Sequence, residues 1–70
     1  MVGLNVKFKE SGYSKVEYPE TVSLHSVKSY AGRIFRDSEV QSVCVFDEDG
    51  VSWLYLKKTK DGVHREEKLA

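Results

Sequence analysis

The stretch VFDEDGVSWLYLKK, Val45 to Lys58, decides how this chain is read. Two runs rich in β-branched and aromatic residues flank DEDG. Such residues favour strands, and Asp-Gly favours a tight reversal between them. With Asp49 and Gly50 as the central pair of the turn, Val45 faces Leu54 and Val43 faces Leu56. The same register sets Phe46 opposite Trp53 and Cys44 opposite Tyr55. The hairpin is then apolar on both faces, although an antiparallel sheet needs only one apolar face for its core.

Working outward, residues 40–46 (VQSVCVF) and 51–59 (VSWLYLKKT) are the two strands of that hairpin. A second Asp-Gly follows in KDGV, and residues 63–68 (VHREEK) read as a short, charged edge strand. Upstream, residues 23–36 (SLHSVKSYAGRIFR) predict a helix, with Leu24, Val27, Ala31, Ile34 and Phe35 in one buried stripe. Ser23 is the expected N-cap, and Val22 and Val27 are spaced for a hydrophobic staple. Gly32 falls on the polar side, where it costs about 1 kcal/mol relative to alanine. Residues 4–9 (LNVKFK) and 15–18 (KVEY) alternate apolar and polar as strands do. An odd-length loop centred on Gly12 would set Phe8 opposite Val16, Val6 opposite Tyr18 and Lys7 opposite Glu17. Pro19 ends the second strand.

The order ββ-α-ββ(β) predicts an α+β fold, an antiparallel sheet of four to five strands with one helix packed on one face. A partly open barrel around the helix, or a dimer that shares its sheet, fits the same order. Seventy residues amount to one small domain, 1–70, with no core volume to give to a deep catalytic cleft. Eleven basic and eleven acidic residues leave no formal net charge, which argues against a strongly basic nucleic-acid binder. Cys44 is the single cysteine, so no internal disulfide forms. The sequence has no apolar run of the signal-peptide or membrane-spanning kind. Together these point to a cytoplasmic protein.

If the aliphatic side chains face the helix, Phe46, Trp53 and Tyr55 fall on the opposite face with Lys7, Lys9, Lys15 and Lys57. A contiguous apolar patch among charges marks an interaction site, and Trp and Tyr are enriched where binding energy concentrates. The plainer alternative buries Phe46 and Trp53 in the core, under the charged C-terminal segment. On the helix, Lys28, Arg33 and Arg36 either steer an acidic partner or complement the helix dipole. The candidate partner-binding residues are therefore Phe46, Trp53, Tyr55, Lys57, Lys7, Lys9, Arg33 and Arg36. A second reading is a single-strand nucleic-acid binder, with bases stacked on Trp53 and Tyr55 and the backbone held by Lys7, Lys9, Lys57 and Lys58.

Other chemistry finds little support. Asp47, Glu48 and Asp49 lack the ligand spacing of a calcium loop. One cysteine with His25 and His64 does not make a tetrahedral zinc set. No motif places a base beside Cys44, and the glycines stand singly rather than in a phosphate-binding loop. The expectation is a non-catalytic module that needs no cofactor and no metal, and that binds a protein partner or a second copy of itself. In outline the chain resembles small proteins encoded by phages and bacterial mobile elements, some of which block or retarget a host enzyme. That resemblance implies a regulator, inhibitor or accessory protein.

Overall fold

The computed structural model describes residues 1–69. In chain order the elements are β1 (Val2–Phe8), β2 (Tyr13–Tyr18), α1 (Leu24–Phe35), β3 (Val40–Asp47), β4 (Ser52–Thr59) and β5 (Gly62–Glu67). The strands form one five-stranded sheet in the order β2-β1-β3-β4-β5, every neighbouring pair antiparallel. The α+β architecture is the predicted one. β2 and β3 are both antiparallel to β1, so they run parallel to each other. Parallel strands need a long crossover, and α1 supplies it.

The helix begins and ends where its sequence says it should. Ser23 caps it, its hydroxyl accepting from the Ser26 N–H at 3.1 Å. Arg36 closes it, its N–H donating to the Arg33 carbonyl while the Asp37 N–H donates to that of Ile34. Val27, Ala31 and Phe35 are buried against the sheet, while Val22, Leu24 and Ile34 pack at the margin of that contact. From the sheet, Leu4, Val6, Val40, Val43, Val45, Leu54 and Leu56 complete the core. All of it lies between α1 and one face of the sheet.

The first hairpin differs from its expected register. Val16 pairs with Leu4 rather than Phe8, Tyr18 with Val2 rather than Val6, and Glu17 with Gly3 rather than Lys7. The loop is odd, but Lys9, Glu10 and Ser11 form it. Gly12, at φ 55°, closes the turn from a left-handed conformation instead of standing at its tip, and the Phe8 N–H donates to its carbonyl. The slip is an even number of residues, so every side chain keeps its face. The core therefore survives the slip, except at the edge: helix α1 does not reach over β2, and Val16 is 43% exposed.

Candidate functional site

The face of the sheet away from α1 is built in three rows that run across the strands. Tyr13, Lys7, Ser42, Lys57 and His64 make the first row. Lys15, Asn5, Cys44, Tyr55 and Glu66 make the second. Glu17, Gly3, Phe46 and Ser52 make the third. Small residues occupy the middle, so the face is hollow there. Asn5, Lys7, Tyr13, Ser42 and Cys44 line a shallow depression of about 360 Å³. Tyr13 stands over one side of it and is 75% exposed.

Phe46 and Tyr55 are on this face, as expected, with Lys7, Lys15 and Lys57. Phe46 lies across Gly3, and the Lys15 ammonium sits 5.3 Å from its ring centroid. Tyr55 meets the His64 ring edge-on at 6.1 Å. The carboxylates of the face stand at its outer strands and are locally engaged: Glu17 is 3.9 Å from Lys15, and Glu66 is 2.7 Å from His64. Among the described residues no carboxylate pairs with Lys7 or Lys57, which flank Ser42 in the first row. The carboxamide oxygen of Asn5 is buried and has no hydrogen-bond partner.

Trp53 is not on this face, and this corrects the sequence reading. The β3–β4 loop has three residues, Glu48, Asp49 and Gly50, not two. Asp47 N–H donates to Val51, Gly50 N–H donates to Asp47, and Gly50 takes φ 80°. The extra loop residue shifts the pairing by one, so Phe46 faces Ser52; a bulge at Trp53 restores it, and Val45 faces Leu54 as expected. The bulge turns the indole toward α1. Its N–H donates to the Asp47 carboxylate at 2.9 Å, and the ammonium groups of Lys28 and Lys68 stand 5.8 and 5.6 Å from the ring centroid.

That corner of the molecule is an intramolecular latch. Lys28 also donates to Glu67 and to the Lys68 carbonyl, each at 3.1 Å, and Arg65 pairs with Glu67. Asp47 accepts from the Trp53 indole and from the backbone N–H groups of Val51 and Asp49, and these bonds hold its carboxyl below the usual range. Glu67 is held low in the same way, first by Lys28 and then by Arg65. The acidic cluster read at Asp47 to Asp49 therefore has a structural use in the turn. Among the described residues no three His, Cys, Asp or Glu side chains converge on a common point.

The remaining candidates scatter. Lys9 lies past the end of β1, where its N–H donates to the Glu39 carbonyl. Lys58 is on the helix side, donating to the carbonyls of Asp37 and Val40 at 2.7 and 2.6 Å beside the Phe35 ring. Arg33 and Arg36 are exposed on α1, across the thickness of the sheet from Phe46 and Tyr55. Tyr13, Asn5 and Ser42 belong to the site and escaped the sequence reading. Tyr13 lies outside the expected strand 15–18, beside the loop expected around Gly12, and the other two gain meaning only from their place in the hollow. No family model, curated protein or solved structure matches the chain. Among the described residues no helix is long and apolar enough to cross a membrane.

Proposed function

We propose that the uncovered sheet face is a docking surface for another protein, and that the chain acts as a non-catalytic regulator, inhibitor or accessory module. One observation carries this reading. Among the described residues the only helix covers one face, and the other presents Phe46, Tyr13 and Tyr55 around a hollow flanked by Lys7 and Lys57, with no carboxylate paired to either lysine there. Aromatic anchors beside free ammonium groups suit a partner surface that brings an apolar side chain together with carboxylates. The single-strand nucleic-acid reading loses its main stacking platform, because Trp53 and Tyr55 do not share a face.

The test is affinity capture from cells that express the protein, with two charge-reversed baits. Lys7→Glu/Lys57→Glu alters the sheet face, and Arg33→Glu/Arg36→Glu alters the helix. Both pairs are exposed, so both baits fold. The face bait should lose a partner that the wild type captures by about tenfold or more, a loss on the scale of a binding anchor. The helix bait should retain it. Loss with the helix bait alone, or equal capture by both, would sink the reading; release of the captured material by nuclease would favour nucleic acid instead.

A further inference from the structure

We infer that two copies of this chain join edge to edge through β2, around a two-fold axis at Val16, into one sheet continuous across both. Both outer strands, β2 and β5, have an unpaired edge. An open edge is a template for another strand unless something blocks it. The two edges differ in what they would meet in a second copy.

The direction of the free backbone groups on β2 follows from its ladder. The Phe8 N–H donates to Gly12, and antiparallel pairs alternate between bonded and non-bonded. Ser14, Val16 and Tyr18 therefore turn their backbone groups inward to β1. Tyr13, Lys15 and Glu17 turn theirs outward. A two-fold axis normal to the sheet sets each residue opposite one from the same face. Centred on Val16, it sets Lys15 of one copy opposite Glu17 of the other, twice. Their outward N–H and C=O groups then exchange both hydrogen bonds, and their side chains meet as opposite charges. On the helix side the half-exposed Val16 meets its own counterpart, and Ser14 meets Tyr18. Centring the axis on Lys15 or Glu17 would set like charges together. Pro19, which has no N–H, ends the seam.

The helix side of the seam continues into an apolar groove of about 300 Å³ between α1 and β2, lined by Tyr18, Val22, Ser26, Val27 and Tyr30. On β5 an axis at Glu66 would likewise set Arg65 opposite Glu67, but it brings Glu66 against its own copy, and the groove beside that strand is lined by the charged or polar His25, Lys28, Arg65 and Glu67. An axis at Arg65 sets like charges together, and one at His64 sets Val63 against Arg65. A six-residue seam is small, so the dimer belongs to the weak, concentration-dependent class. The inference does not rest on the proposed use of the open face; it leaves that face free and sets two copies of it side by side.

The experiment is sedimentation equilibrium over a concentration series on the full chain, with circular dichroism as the control for folding. Wild type is expected to pass reversibly from monomer to dimer below about 1 mM. Lys15→Glu and Glu17→Lys should each weaken the dimer by about tenfold or more. The double swap, Lys15→Glu/Glu17→Lys, should restore it, because opposite charges again face each other. Lys15→Pro removes an outward N–H but no bond to β1, and should abolish the dimer. A wild type that stays monomeric throughout overturns the inference, as does a double swap no better than its single parents, or a dimer that survives Lys15→Pro.

Discussion

Gly3 and Phe46 are cross-strand partners on the open face. A Cβ built on Gly3 would stand 2.2 Å from the Phe46 Cζ, well inside any real contact. The glycine is there because an aromatic ring covers it, an arrangement that shields a backbone otherwise weak in a strand. Gly3→Ala should drive the ring off its seat. The ring can swing toward solvent, so the expected loss is about 1 kcal/mol, the scale of a cross-strand aromatic packing, rather than loss of the fold. In a Phe46→Ala background the same substitution should be nearly neutral. Urea unfolding of the four proteins in that cycle measures the coupling; additive losses would mean the ring is not what Gly3 accommodates.

Helix α1 has one weak position. Gly32 lies in its interior, and an added Cβ would meet nothing within 4 Å. Gly32→Ala should therefore stabilise the protein by about 0.5–1 kcal/mol, from the helix propensity difference alone. In a chain this short that corresponds to a rise in Tm of about 3–8 °C. No change would mean that Gly32 has a backbone role its surroundings do not reveal. At this scale the sequence was readable wherever a periodic pattern ran several turns or alternations. The helix, its Ser23 cap and the pairs Val43–Leu56 and Val45–Leu54 all stand where the pattern put them. What escaped were the turns. In the β1–β2 and β3–β4 hairpins a left-handed glycine, Gly12 or Gly50, stands at the end of a three-residue reversal, and neither apolar alternation nor the Asp-Gly pair distinguishes that from its alternatives. At β1–β2 the error was even and harmless. At β3–β4 it was a single residue, absorbed by a bulge, and it moved Trp53 from the candidate site to the latch. The reach of lysine side chains was equally hidden, since Lys28 and Lys58 bind carbonyls far away in the chain.

Across the whole molecule, that latch joins the β3–β4 turn, the start of α1 and the end of β5. Two carboxylates hold it. Asp47 is kept below its ordinary range chiefly by the Trp53 indole, and Glu67 chiefly by Lys28 and next by Arg65. A carboxyl whose pKa is lower in the folded than in the unfolded chain stabilises the fold fully above its unfolded value. That stability is lost as the pH falls through the folded value. The fold should thus hold its latch at neutral pH and begin to lose it below about pH 4, where unfolded carboxyls take up protons. Asp47→Asn/Glu67→Gln keeps the shapes but not the charges. The variant should melt lower than wild type at neutral pH, and the two melting curves should converge on acidification. Trp53 is the only tryptophan in the chain, so its fluorescence reports the corner directly. Its emission should shift to the red in acid for wild type, as the indole loses Asp47 and meets more water, and should vary little with pH in the variant. Melting temperatures that fall in parallel for the two proteins would show that the acid sensitivity lies in other carboxylates, and that the latch is neutral to the fold.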